Sequence, residues 1–282
     1  MGSGASLCPA MLDAFPPRHV SVALSQVDAT PAGDWPDVHC LAILFTSRSG
    51  SSHLGREITR RFAVGRIEES FNAPRINREG GGAEGLKRII ALDSENGWFA
   101  VKTSNRGLII GEALGFLDAA REKTGFLYLV RRDIVAQAVS IVKAQQTQRW
   151  HSIAPPTSAT PTFDAVAIAE QIGVVETIMR MLKGYLDRAG RPWRLVAYED
   201  FHDGDMSTVE SACLALGAPA RAEVIAPVNP LEKTWDEVNA DWVARFRPDP
   251  KTAATIGRYR DLVASAGPPL PPPPPLRGPP PP

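Results

Sequence analysis

Short apolar runs of strand length alternate with helix-like segments from residue 39 onward, and this alternation constrains the fold more than any other feature of the sequence. The first run, 39–45, is almost continuously apolar, as expected for a parallel strand that is buried on both faces. Further strand candidates lie at 98–102, 126–130 and 193–198. Helix-like periodicity marks 53–62, 108–122, 133–149, 164–188 and 206–216. The alternation predicts a three-layer α/β fold with a central, mainly parallel sheet.

The 282 residues are enough for one large core, and composition divides the chain into three parts. Residues 1–37 are rich in Pro, Ser and Ala and are predicted to form a loosely packed N-terminal extension. Residues 38–247 carry the strand and helix patterns and are predicted to form the folded domain. Residues 248–282 are predicted to be a disordered, Pro-rich C-terminal tail, since 11 of the last 15 residues are proline.

Composition also disfavours several classes of protein. The 31 basic side chains are balanced by 31 acidic ones, so a nucleic-acid binder is not expected. No apolar run approaches the roughly 18 residues of a membrane span. The three cysteines have no C-x-x-C spacing, and no histidine has the spaced partners of a metal site. These observations predict a metal-free protein in the reducing cytoplasm.

A turn rich in Ser and Gly follows the first strand and leads directly into a helix. Backbone N–H groups converge at such a turn and the helix dipole adds positive potential, so the segment is a candidate anion cradle. Arg48 adds a full positive charge. The other predicted cradle residues are Ser47, Ser49, Gly50, Ser51 and Ser52. Phe45 and Ser51 stand where the P-loop signature requires Gly and Lys, which argues against an ordinary NTPase. A Ser-rich turn without a ligand is the alternative.

A second candidate anion site begins where the strand at 126–130 ends. Arg131 follows that strand directly, and Ser140 comes about two helical turns later. Ligands bind at the carboxyl ends of strands in open α/β sheets, so these side chains could hold a phosphate. Taken alone, the segment is equally an ordinary helix start with surface arginines. Together, the two segments suit a ligand with two separated anionic groups.

Three segments resemble a known family. Residues 45–54 resemble the 5′-phosphosulfate loop of sulfotransferases that use 3′-phosphoadenosine-5′-phosphosulfate (PAPS), in the form found in the bacterial trehalose 2-sulfotransferase family, close to the Nod-factor and lipopolysaccharide sulfotransferases. Residues 131–150 are similar to the family's 3′-phosphate segment, and 65–71 resemble its pattern G-E-P-x-E-F-F. Weaker similarity occurs around Lys102, around Tyr198 and over 231–247. The resemblance implies a P-loop-like sulfotransferase fold, PAPS as co-substrate and a homodimer.

The resemblance also implies residue roles. The cradle would bind the 5′-phosphosulfate, while Arg131 and Ser140 would hold the 3′-phosphate, with Lys233 as a further donor contact. Glu69 falls on the family's catalytic base, and general-base assistance suits a hydroxyl acceptor. Arg66 and Glu68 are the implied acceptor contacts.

The third motif departs from the family pattern in three places. Arg66 replaces the acid that contacts the acceptor sugar, Ile67 replaces a proline and Ser70 replaces an aromatic residue. Trehalose is therefore not singled out as the acceptor, and the expected acceptor is a hydroxyl on a carbohydrate or glycolipid. Arg66 is compatible with an anionic or acylated sugar, and the sequence does not choose between them.

Two other functions remain open from the sequence. A small-molecule kinase could use the same cradle for ATP, although the Lys of the P-loop and a clear magnesium carboxylate are missing. A non-catalytic nucleotide-binding or scaffold protein is the second, and the altered third motif and the proline tail favour it.

Overall fold

One parallel sheet organises the molecule. The computed structural model describes residues 9–150, 160–227 and 235–266. The strands are β1 (His39–Leu44), β2 (Trp98–Thr103), β3 (Thr124–Val130) and β4 (Trp193–Ala197). They lie in the order β2-β1-β3-β4, and each neighbouring pair is parallel. The predicted α/β class with a central parallel sheet is confirmed.

Helices follow and precede every strand. They are α1 (Pro9–Leu12), α2 (Pro17–Leu24), α3 (Ser51–Arg61), α4 (Ala73–Arg78), α5 (Gly82–Asp93), α6 (Asn105–Ala113), α7 (Phe116–Ala119), α8 (Ile134–Thr147), α9 (Ala165–Ala189), α10 (Ser207–Ala215), α11 (Glu237–Arg245) and α12 (Pro250–Ser265). Short 3-10 turns occur at Arg121–Lys123 and Tyr198–Asp200. Within these ranges no helix combines the length and apolarity needed to cross a bilayer.

The side chains of the strands alternate between two buried clusters, one on each face of the sheet. Leu41 and Ile43 pack with α3 and α10, whereas Cys40, Ala42 and Leu44 pack with the other helices. Such alternation follows from the twofold periodicity of a strand. Because both faces are covered by helices, the architecture has three layers, as the sequence predicted.

The carboxyl ends of the strands meet at one edge of the sheet. Leu44 of β1 is in register with Thr103 of β2 and Tyr128 of β3, and Val130 of β3 is in register with Ala197 of β4. The segments that leave these strands therefore emerge side by side. Both segments with candidate anion-binding residues start at this edge.

The N-terminal segment differs from the prediction of a loosely packed extension. From residue 9 onward it contains α1 and α2, and Met11, Phe15 and Ala23 are buried in the larger cluster. Pro17 occupies the first turn of α2, where a missing N–H costs nothing. The prediction missed this packing because both helices are short and their apolar residues are few.

The predicted tail is wrong for residues 250–265, which form α12. Asp249 caps this helix by accepting a hydrogen bond from the N–H of Thr252 at 2.9 Å, and Pro250 follows at the first helical position. Ile256 and Tyr259 are buried, and α12 packs against α9. The remainder of the predicted tail, 267–282, lies outside the described residues.

Two helical predictions also need correction. The helix expected over 108–122 is divided into α6 and α7 at Gly115, whose φ of 86° is a left-handed conformation that ends a helix. Helices α4 and α5 were not predicted from the sequence. Three consecutive glycines, 80–82, precede the apolar residues of α5 and conceal its periodic pattern.

Candidate active site

The predicted cradle forms the connection between β1 and α3. Gly50 precedes the helix with a φ of 89°, and a Cβ at this position would lie 2.4 Å from Cδ2 of Tyr198. Glycine is therefore required both by the backbone and by the neighbouring ring. Ser49 is fully buried, and its hydroxyl has no hydrogen-bond partner within the described part of the chain. A buried donor at a helix N-terminus is suited to binding an anion.

Gln137 of α8 fixes the start of the cradle. Its amide nitrogen donates to the Thr46 hydroxyl at 2.8 Å and to the Ser47 carbonyl at 2.7 Å. Gln137 is fully buried, so both bonds are shielded from water. The cradle and the second candidate segment are thus held together by a side chain to which the sequence analysis gave no separate role.

Arg48, Arg131 and Ser140 come together at this junction. The Nε of Arg48 donates to the Ser140 hydroxyl at 3.0 Å, and Nη1 of Arg131 donates to the carbonyl oxygen of Arg48 at 3.3 Å. The Arg131 guanidinium lies 4.8 Å from the Tyr198 ring and 5.4 Å from the Trp235 ring. These contacts bring the two candidate anion-binding segments together.

The electrostatics of this junction favour an anion. Burial, followed by the positive charge of Arg131, holds the pKa of Arg48 below its usual value. Nε of Arg131 is buried without a partner in the described ranges. Two neighbouring guanidinium groups repel each other until a negative charge lies between them. A phosphate would relieve that repulsion and accept the free N–H.

Arg132, the next residue, has a different environment. Its guanidinium forms a bidentate contact with the carboxylate of Asp200, with N–O distances of 2.5 and 2.9 Å. The carboxylate of Glu199 accepts from the backbone N–H groups of Arg132 and Asp133 at 3.0 and 3.2 Å. Arg132 therefore joins the start of α8 to the turn after β4.

Lys102, the penultimate residue of β2, connects the cradle to Glu69. Its ammonium group donates to the Ser52 hydroxyl at 3.0 Å and lies 3.6 Å from Oε1 of Glu69. Lys102 is buried, whereas the Glu69 side chain is half-exposed. Both residues line a pocket of about 470 Å³ that opens at the same edge of the sheet. An acidic group, a cation and the cradle are thus contiguous beside a space large enough for a small acceptor.

Asp93 anchors the segment that carries Glu69. Its buried carboxylate accepts a hydrogen bond from Nη2 of Arg75 at 3.0 Å and one from the Ser70 hydroxyl at 3.1 Å, and it forms an ion pair with Nη1 of Arg75 at 2.7 Å. Its carbonyl oxygen lies where a Cβ at Gly65 would be, only 1.9 Å away. Ser70 is fully buried, so a larger side chain there would displace the Arg75–Asp93 pair. This packing explains the serine at a position where the family pattern has an aromatic residue.

A comparison with known protein families identifies the family of the chain. The family model described as Stf0 sulphotransferase matches residues 102–249, just over half of the chain. The chain belongs to the Stf0 sulphotransferase family. No curated protein matches the chain.

Membership of the Stf0 sulphotransferase family makes the chain a sulfotransferase, which decides against the kinase and scaffold alternatives. The matched region includes Lys102, Arg131 and Ser140. The cradle and Glu69 precede it, and they reach the matched residues through the contacts of Lys102, Gln137 and Arg48.

The two predicted acceptor contacts, Arg66 and Glu68, are not at the pocket. The Arg66 side chain is mainly exposed and lies 3.5 Å from Asp93, and neither Arg66 nor Glu68 lines the pocket. The carbonyl of Glu68 accepts a bond from the Lys102 N–H at 3.0 Å, which pairs this segment with β2. Neighbouring side chains of an extended segment point to opposite sides, which separates Glu68 from Glu69. Lys233 lies outside the described residues.

The pocket of this Stf0 sulphotransferase also contains side chains that were not predicted from the sequence. Gln26 comes from the segment after α2, Asn72 and Asn77 from the region of α4, and Arg106 from the first turn of α6. Arg106 could have been predicted from the sequence, because it follows a strand as Arg48 and Arg131 do. Gln26 and Asn77 have no comparable signal because their place depends on how distant helices pack.

The residues of the cradle fit the donor that the family implies. A ligand with two anionic groups would use the free Ser49 hydroxyl, the free Arg131 N–H and the close approach allowed at Gly50. In the described ranges, no group of three or more His, Cys, Asp or Glu side chains could hold a metal ion.

Proposed function

We propose that this Stf0 sulphotransferase transfers a sulfuryl group from PAPS to a hydroxyl of a carbohydrate or glycolipid. The observation that carries the proposal is the chain of contacts from Ser52 through Lys102 to Glu69, at 3.0 and 3.6 Å. It connects the candidate anion cradle to the candidate acceptor pocket. A transfer reaction needs a donor site, an acceptor site and a base between them, and this arrangement offers a candidate for each.

For the donor, the cradle residues Ser49, Gly50, Ser51 and Ser52 would bind the 5′-phosphosulfate. Arg131 and Ser140 would bind the 3′-phosphate. Arg48 contacts the Ser140 hydroxyl, which supports assigning its guanidinium to the 3′-phosphate side rather than to the 5′-phosphosulfate side expected from the resemblance. Tyr198 and Trp235 flank Arg131 and would keep its guanidinium in a fixed orientation.

For the chemistry, Glu69 would accept the proton of the acceptor hydroxyl as its oxygen attacks sulfur. The bond between sulfur and the oxygen bridging to the 5′-phosphate breaks, and the leaving group is 3′-phosphoadenosine-5′-phosphate. The backbone amides of the cradle would stabilise the charge on the leaving phosphate. Lys102 lies between Ser52 and Glu69, where its ammonium could neutralise charge on the sulfuryl oxygens.

For the acceptor, the pocket offers neutral amide side chains from Gln26, Asn72 and Asn77 beside the apolar surfaces of Phe71 and Ile110. A sugar ring has hydroxyl groups at its rim and C–H groups on its faces, so this mixture supports a carbohydrate or the sugar of a glycolipid.

The setting of the enzyme is a separate part of the proposal. Cys40 and Cys213 are buried free thiols, which supports a reducing compartment such as the cytoplasm. The homodimer stays a prediction from the family resemblance.

A screen with sulfur-labelled PAPS tests the proposal. Purified protein is incubated with labelled PAPS and a panel of sugars, glycolipids, phenols and steroids, and label transferred to each acceptor is counted. We expect transfer to at least one sugar or glycolipid. Transfer only to phenols or steroids would overturn the carbohydrate acceptor, and transfer from no PAPS-containing mixture would overturn the reaction.

A further inference from the structure

The acceptor pocket contains one cation more than anions. Lys102 and Glu69 compensate each other at 3.6 Å, which leaves Arg106 as the additional charged lining residue. In the described part of the chain, no carboxylate lies within ion-pair distance of the Arg106 guanidinium. Arg106 is exposed, so its side chain is free to contact a ligand in the pocket.

The positive charge of Arg106 does not stabilise the helix in which it lies. Arg106 is the second residue of the nine-residue helix α6, where the helix dipole is positive and acidic residues are preferred. The Asn105 amide nitrogen donates to Nδ1 of nearby His19 at 3.1 Å. Burial, and then the charges of Arg18 and Arg106, lower the pKa of His19. Arg106 therefore adds a full positive charge to the pocket at a helix end that is itself positive.

From these observations we propose that the natural acceptor carries an anionic group beside the hydroxyl that is sulfated, and that Arg106 binds this group. The inference rests on the proposed function and narrows its substrate class. A carboxylate and a phosphate monoester are equally suited, since both form paired bonds with a guanidinium. The neutral amides of the pocket would contact the remaining hydroxyls of the sugar.

Matched sugars test this assignment directly. Glucose, glucuronate and glucose 6-phosphate form one set, and galactose, galacturonate and galactose 6-phosphate form a second. Each is titrated by calorimetry or ligand-observed NMR into protein saturated with 3′-phosphoadenosine-5′-phosphate. We expect at least one charged sugar to bind about 10-fold or more tightly than its neutral counterpart, because one charge-assisted contact is added. The uronate and phosphate members report which anion is preferred.

Two arginine variants make the test specific. Arg106→Gln should remove the preference for the charged sugar, while Arg106→Lys should retain part of it. Arg121→Gln is the matched control, because Arg121 is exposed and lies before β3 at the opposite edge of the sheet. It lowers the net charge equally and should leave the preference unchanged.

The outcomes separate this inference from the proposed function. Failure of the bisphosphate to bind wild-type protein would count against the PAPS reaction itself. Normal bisphosphate binding with no charged sugar preferred, including the case in which no sugar binds, would overturn the anionic acceptor alone. A preference that survives in Arg106→Gln would show that another residue is responsible.

Discussion

Arg131 and Arg132 are neighbours in sequence, yet their guanidinium groups make different contacts. Arg132 forms a paired contact with Asp200, so its charge is compensated within the protein. Arg131 lies against two aromatic rings and Arg48, and it retains a buried N–H without a partner in the described residues. Within the described residues, the Arg131 guanidinium contacts two aromatic rings and the Arg48 carbonyl but no carboxylate, so it is suited to an external anion.

A prediction at this scale follows for nucleotide binding. Arg131→Ala should weaken binding of 3′-phosphoadenosine-5′-phosphate by about 2–3 kcal/mol, or roughly 30- to 150-fold, because one charge-assisted contact is lost. Arg132→Ala is the control and should change the affinity less than about threefold. Calorimetry measures both variants. Equal affinity for wild type and Arg131→Ala would contradict the assignment of the 3′-phosphate to this residue.

At the scale of elements, the N-terminal helices contribute to both the core and the pocket. Phe15 is buried, with its ring centroid 6.0 Å from that of Tyr185 on α9. The carbonyl of Gln26 accepts a bond from the Asn77 amide at 3.0 Å, which connects the segment after α2 to the wall of the pocket. The N-terminal segment is therefore a structural part of the catalytic domain.

Chemical denaturation tests whether these helices unfold with the rest of the molecule. Phe15→Ala should lower the free energy of unfolding by about 3 kcal/mol or more, because it leaves a cavity beside Tyr185. Val22→Ala, at an exposed position of α2, should change it by less than about 0.5 kcal/mol. If Phe15→Ala unfolds at the same urea concentration as wild type, the N-terminal helices are not part of the cooperative unit.

For the whole molecule, the sequence predicted best those elements whose residues are contiguous in the chain. The strands β1 to β4 and the cradle could be predicted because an apolar run, a Ser/Gly turn and a helix start are contiguous in the chain. The helix predicted over 133–149 is equally local, and Asp133 caps it by accepting a bond from the Ala136 N–H at 2.9 Å. Glu69 follows the cradle by one helix, and in the structure Lys102 connects it to Ser52.

The acceptor side could not be predicted in the same way because it depends on packing between distant elements. Arg66 was expected at the acceptor from the motif alone, but buried Asp93 attracts its guanidinium. Arg106 and Gln26 reach the pocket only after the N-terminal segment folds against α6. Likewise, the hydroxyl of Tyr259 in α12 donates to the carbonyl of Arg131 at 2.8 Å, a contact between residues far apart in sequence.

The comparison of Glu69→Gln with Glu68→Gln tests the central claim most directly. The substitution keeps the shape of each side chain and removes its ability to accept a proton. General-base catalysis contributes roughly 10²–10⁴-fold, so turnover of PAPS by Glu69→Gln should fall by that factor while affinity for the bisphosphate product stays within about twofold. Glu68→Gln should lose less than about tenfold. An inactive Glu68→Gln beside an active Glu69→Gln would assign the base to the other carboxylate, and two active variants would contradict the role of this segment in catalysis.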